Sequence, residues 1–174
     1  MIASDENLRS RGVVDQKLYR DAMARLGAAV NIITTDGPGG KRGFTASAVC
    51  SVTDTPPTLL VCLNRNSDSN QALKDNRVAC VNVLHANQQH LSPVFAGMVE
   101  GEYEQRFATA DWHRLPNGTL ALAGALVSFE CRVVQITEVG THTVFFCEVD
   151  GVLGGDPGHG LVYFARSYHT LGSD

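Results

Sequence analysis

A chain of 174 residues, 44% hydrophobic and 18% charged, is long enough for one domain with an ordinary core and too apolar to be disordered along its length. Its formal charge of -4, with no run of lysine or arginine, argues against nucleic acid as the main partner. No stretch approaches the roughly 20 apolar residues that cross a bilayer, and the first dozen residues hold no apolar signal core, so the expectation is a cytoplasmic protein with no membrane partner.

Residues 1–14 read as a flexible polar leader and residues 15–174 as the folded domain. From Asp15, DQKLYRDAMARL spaces Leu18, Ala22, Met23 and Leu26 along one helical face, with Asp15 as N-cap and Gly27 as the stop. Ala28 to Thr35 is β-branched and predicts a strand. The turn cluster DGPGGKRG, Asp36 to Gly43, sends Phe44 to Val52 back as its hairpin partner. After the Pro56-Pro57 break, Thr58 to Leu63 predicts a buried strand, Ser67 to Asp75 a short helix, and Val78 to Leu84 another buried strand. Ala86 to Met98 reads as helical with a break near Pro93, and Val99 to Asn117 as loop. Leu120 to Val139 suffices for two strands or one bent strand; Thr141 to Leu153 and Leu161 to Phe164 complete a set of six or seven. So many strands joined by hairpins, with two or three helices and no G-x-G-x-x-G opening a helix after a strand, predict a mainly β antiparallel barrel with peripheral helices rather than a Rossmann sheet.

Five cysteines make an odd count without a C-x-x-C pair. Cys62, Cys80, Cys131 and Cys147 lie inside apolar runs, which predicts buried reduced thiols rather than metal ligands. His85 and His90 are five apart with no carboxylate-rich partner following, so no metal site is predicted. Neither a carboxylate pair nor a nucleophile triad stands out.

The stretch Gly43 to Asn70, GFTASAVCSVTDTPPTLLVCLNRNSDSN, alternates small hydroxyl residues (Thr45, Ser47, Ser51, Thr53) with apolar ones, then ends a buried strand in Asn64-Arg65-Asn66-Ser67. Such alternation fits the polar face of a plain sheet. It equally fits a face where small side chains let a flat ligand lie against the backbone. In that second reading Ser67, Asn70 and the start of the short helix receive a phosphate on free N–H groups and the helix dipole.

The order G-F-T-A-S-A, S-V-T, P-P, L-N-R-N-S, followed by VACVNVL, H-x-L-S-P-V-F-A-G, Arg106-Phe107, GTHTVFFCEVDGV and LVYFARSYHTL, resembles the FMN-binding split-barrel flavin reductases. These include the reductase component of 4-hydroxyphenylacetate 3-monooxygenase. The resemblance runs from about Tyr19 to Leu171 and implies a Greek-key split β-barrel and a homodimer with flavin near the subunit interface. It further implies hydride transfer from NADH or NADPH to FMN, with FAD possible, and a separate flavin-dependent monooxygenase as consumer of the reduced flavin. By matching position, Thr45, Ala46 and Ser47 line the flavin and Ser51, Val52 and Thr53 follow the isoalloxazine edge. Asn64, Ser67 and Asn70 hold the ribityl chain and phosphate, Phe95 belongs to the cradle, and Arg106 is a charge partner. His142 matches the position near the nicotinamide; on its own residue pattern it reads as a surface or cap histidine. The chain departs from the family's S-V-S and F-S-G spellings: Thr53 keeps a hydroxyl, while Ala96 removes one. The same motifs are shared by corrin-cobalt and pyrimidine-degradation reductases, and a non-catalytic flavin- or haem-binding split barrel is the reading from a different class.

Overall fold

The computed structural model describes residues 13–172. The expected leader, residues 1–14, therefore lies outside the described residues except for Val13 and Val14. Helix α1 spans Gln16–Met23, and the Asp15 carboxylate accepts a hydrogen bond from the Leu18 N–H at 3.0 Å, as its N-cap position predicts. The apolar face forms but nothing among the described residues covers it: Leu18 and Leu26 are 63% and 65% exposed.

The strand expected over Ala28 to Thr35 is two strands, β1 (Ala28–Ala29) and β2 (Asn31–Thr35). Val30 separates them because its N–H donates to Leu161 and its carbonyl accepts from Leu84, which hands the chain from one sheet to another. β3 (Arg42–Ala46) returns antiparallel to β2. The run expected to continue to Val52 breaks at Ser47-Ala48; β4 (Val49–Asp54) pairs instead with β5 (Pro57–Asn64), at the opposite edge of the same sheet. α2 (Asp68–Asn76) and β6 (Val78–Val83) follow as expected, with Ser67 as the N-cap.

A 3₁₀ turn at Ala86–Gln88 precedes α3 (Leu91–Phe95), so the helical break falls at Gln89-His90 rather than at Pro93. Pro93 sits in the first turn of α3, where a missing N–H leaves no helical bond unmade. The region expected as loop holds α4 (Tyr103–Phe107) and β7 (Trp112–Arg114). β8 (Leu120–Leu122), β9 (Val127–Val139), β10 (His142–Gly154) and β11 (Gly160–Phe164) realise the later strands, and β12 (Ser167–Leu171) is an additional one. The twelve strands among the described residues thus exceed the six or seven expected, because three of the expected runs break into two strands each and β7 and β12 are added.

Seven strands form one antiparallel sheet in the order β3-β2-β6-β9-β10-β5-β4. β6, β9 and β10 lie side by side in chain order and β5 returns beside β10, which is a Greek-key arrangement. The sheet curls until β3 comes against β5, the split barrel expected from the sequence. Inside the curl pack Ile33, Phe44, Val61, Leu73, Val81 and Phe145. Outside it, Ile32, Leu84, Leu91, Phe95, Phe107 and Leu161 make a second core beneath α3, α4 and the β1-β11-β12 sheet. β2 lies between the two cores, so all five of its residues are buried and no in–out alternation is visible in its sequence.

One polar side chain crosses the second core. Asn82 on β6 has no solvent exposure, donates through Nδ2 to the Ile32 carbonyl at 3.0 Å, and accepts on Oδ1 from Leu122 N–H at 2.8 Å and Ser128 Oγ at 2.7 Å. It therefore ties β2, β8 and β9 together through a single amide. All five cysteines are free thiols. Burial pushes the Cys80 and Cys147 thiols up to about 12 and Cys131 up as well, which leaves them protonated and inert at neutral pH. Cys62, expected to be buried, is only half-buried, because its side chain stands on the outer face of the curled sheet. Among the described residues no helix is long and apolar enough to cross a membrane.

Candidate flavin site

The segment between β5 and α2 is fastened by its own asparagines. Asn64 Oδ1 accepts from the Asn66 N–H at 2.9 Å, and Ser67 Oγ caps α2 by accepting from Ser69 N–H at 3.3 Å. Asn70 is 2% exposed and donates to the carbonyls of Leu63 and Asn64, and to Thr143 Oγ1 at 3.0 Å. Thr143 in turn donates to Glu138 at 3.1 Å, which also accepts from Lys74 and Arg65. Lys74, with help from Thr143 and Arg65, holds the Glu138 carboxyl below its usual range, so it is charged at neutral pH. Asn70 is thus engaged in holding the loop, with Ser67 presented at its tip.

A cavity of about 350 Å³ opens between that loop, β3, α3 and α4, lined by Gly43, Thr45, Ser67, Ser69, Phe95 and Arg106 among others. Gly43 belongs there because a Cβ would meet the Phe95 ring at 2.8 Å. Phe95 is held edge-on by Phe107 and Trp112, with ring centroids 5.4 and 5.7 Å away, and gives the cavity a rigid floor. The Arg42 and Arg106 guanidinium groups stand 4.6 and 4.9 Å from the Tyr103 ring centroid, and the Tyr103 hydroxyl meets Ser69 Oγ at 3.2 Å. Arg106 commits Nε to the Gly101 carbonyl, and Arg42 Nε is buried without a partner. Arg106, the hydroxyls of Ser67, Ser69 and Tyr103 and the positive end of α2 converge here, features that suit a phosphate.

Thr45 and Ala96 are shared with a second cavity of about 210 Å³, lined also by Val30, Ser47, Ser92, Met98, Tyr163 and Tyr168. Tyr163 and Tyr168 give this space two aromatic rings. Together the two cavities form one trough, charged at one end and apolar at the other, which fits an elongated ligand with a phosphate and a ring system.

Among the residues expected at the site, Thr45, Ser47, Ser67, Phe95 and Arg106 are brought to this trough. Ala46 points into the inner core, where only its carbonyl is polar, and that accepts from Asn31. Ser51 and Thr53 line a separate apolar groove with Val49, Leu59 and Phe129, and Val52 is exposed. Their separation from Thr45 follows from the Ser47-Ala48 break, which carries the chain across to the far edge of the sheet. Asn64 and His142 lie opposite each other at the ends of β5 and β10; His142 is exposed, with Nδ1 2.9 Å from Thr141 Oγ1. Asn70 and Thr141 border a third cavity of about 490 Å³ on the other side of the Asn66–Asp68 loop.

Arg42, Ser69, Tyr103 and Ser92 were not anticipated. Tyr103 and Arg106 are three apart, the spacing that stacks them on one helical face, so that pair was readable once α4 was recognised. His85 caps the 3₁₀ turn by accepting from Asn87 N–H, and His90 meets the Asn87 carbonyl. Among the described residues no three His, Cys, Asp or Glu side chains gather as a metal site.

The model of the flavin reductase-like domain matches residues 23–172. The FMN reductase (NADH) RutF of Ancylobacter novellus is 56% identical over 158 residues, covering 91% of this chain and 86% of the relative. Among solved structures, the NADH:FAD oxidoreductase SgcE6 of Streptomyces globisporus, in complex with NAD and FAD fragments, superposes with a TM-score of 0.84 at 27% identity, covering 94% of this chain and 98% of its own. BorF, the flavin reductase component of a bacterial two-component tryptophan halogenase, superposes with a TM-score of 0.85 at 25% identity, over 92% of this chain and all of its own.

Proposed function

Because the chain belongs to the family of flavin reductase-like domains, we propose that it is an NADH-dependent FMN reductase that releases reduced flavin to a separate flavin-dependent monooxygenase. The trough carries the reading: a cationic, hydroxyl-rich pocket at the start of α2 opens past Thr45 and Ala96 into an aromatic slot. FMN bound there supplies the hydride chemistry, and the protein supplies orientation and electrostatics. Arg106, Ser67, Ser69 and the first turn of α2 hold the phosphate. Thr45 and Ser47 meet the polar edge of the ring, and Phe95 closes the floor. No side chain needs to move a proton for a hydride to pass between two stacked rings, which agrees with a site that has cations and hydroxyls but no acid–base pair.

NADH as the donor is supported by the name of the relative at 56% identity, and a diffusing reduced flavin by the two-component halogenase system to which BorF belongs. A homodimer is supported by the exposed apolar face of α1 and the exposed Val52, Val134 and Val152 on the sheet. Nothing in the trough depends on which oxygenase takes the electrons.

The test is NADH consumption with and without added FMN. Oxidation is expected only when free flavin is supplied; flavin binding without any NADH oxidation would instead mark a non-catalytic binding protein. His142→Ala is expected to raise the KM for NADH several-fold with FMN affinity unchanged, since His142 stands outside the flavin trough and caps the hairpin beside it. An unchanged KM in steady-state kinetics would remove His142 from the dinucleotide site.

A further inference from the structure

The aromatic slot is the part of the site that the C-terminal strand pair builds, and a line of hydrogen bonds runs along its wall. The Tyr168 hydroxyl on β12 meets Ser92 Oγ at 2.8 Å. Ser92, 1% exposed at the start of α3, uses its carbonyl to accept from both the Ala96 N–H at 2.9 Å and Thr45 Oγ1 at 2.7 Å. The single hydroxyl proton of Thr45 is therefore committed to the protein. A ligand in the two cavities that Thr45 lines can thus meet its Oγ1 only through a lone pair.

An acceptor-only oxygen at the edge of the slot discriminates. A ligand carbonyl there leaves two acceptors facing each other, whereas an N–H is paired. The oxidised flavin ring carries one such donor, its imide N–H. Without the bond from Tyr168, the start of α3 loses its anchor to β12, and the carbonyl that fixes the Thr45 proton loses its position.

We propose that Tyr168 and Ser92 are positioning residues for the ring half of the flavin, holding Thr45 as an acceptor that reads the imide N–H. This assignment rests on the flavin reading of the trough. It divides recognition in two: the α2–α4 end reads the phosphate, and the β12–α3–β3 line reads the ring.

Quenching of flavin fluorescence by the full chain tests it, with FMN, riboflavin and N3-methylriboflavin as probes. Tyr168→Phe keeps the ring that packs edge-on against Tyr163, with centroids 5.2 Å apart, and removes only the hydroxyl. It is expected to weaken FMN and riboflavin by the same factor, about fivefold, the worth of one neutral hydrogen bond. Wild type is expected to bind riboflavin about tenfold tighter than its N3-methyl form. Thr45→Val erases that preference and Thr45→Ser retains it. The proposal is overturned if Tyr168→Phe weakens FMN alone, or if Thr45→Val keeps the preference. Because the Thr45 pair is read independently, a poorly folding Tyr168 variant does not remove the test. If wild type quenches none of the three flavins, it is the flavin reading itself that fails.

Discussion

Asn82→Ala is expected to lower the unfolding free energy by about 3–5 kcal/mol. The residue has no contact with solvent, and removing its amide leaves the Leu122 N–H and the Ser128 hydroxyl buried without their acceptor and takes a second donor from the Ile32 carbonyl. Each such orphan costs about 1–3 kcal/mol, far more than the hydrogen bond contributes net when all partners are present. Leucine fills the volume and leaves the same orphans. Aspartate keeps the acceptor, loses the Nδ2 donor and buries a charge, so it fares no better. In urea the midpoint should fall with the slope unchanged, and the melting point should drop by about 10 °C, at roughly 2–4 °C per kcal/mol for a chain of this size. A melting point within about 2 °C of wild type would show that ordered water replaces the amide.

Arg106→Ala is expected to weaken FMN by about 10- to 100-fold while leaving riboflavin, which lacks the phosphate, unchanged. The Arg106 backbone and Nε are already tied to Glu102 and Gly101, and its plane lies over Tyr103, so the guanidinium reaches the ligand preorganised. Lysine should recover only part of the affinity, because a point charge lacks the planar fork that stacks on Tyr103 and meets two phosphate oxygens. The wild-type affinity should also fall with added salt more steeply than that of the variant. A parallel loss of riboflavin binding would move Arg106 from phosphate recognition to the architecture of α4.

Much of the site was legible before the fold was known. A short helix starting at Ser67 or Asp68 was readable, and the structure makes Ser67 the N-cap of α2 at the cavity. Thr45 and Arg106 were carried by ordered motifs, and both reach the trough. Asn70 illustrates the limit: its residue type suits phosphate, yet its amide is engaged by two carbonyls and Thr143. Only the register of β10 against β5 brings Thr143 there, and register across 73 positions of chain leaves no local trace. Ser51 and Thr53 make the same point, since the alternation from Thr45 to Thr53 reads as one strand until Ser47-Ala48 divides it between the two edges of a curled sheet.

Local chemistry settled what is local. Caps, turns and β-branched runs sufficed for a mainly β antiparallel barrel with peripheral helices, and the resemblance carried by the ordered motifs supplied the flavin reductase family. The tertiary structure decided which strands share an edge and which hydroxyls meet in one trough. It also decided the polarity of Thr45, which depends on a serine carbonyl 47 residues away and a tyrosine on the last strand. The reason is physical: a strand's neighbours are chosen by burial and register over the whole sheet, and the direction of a hydroxyl proton is chosen by whichever carbonyl that sheet brings within reach.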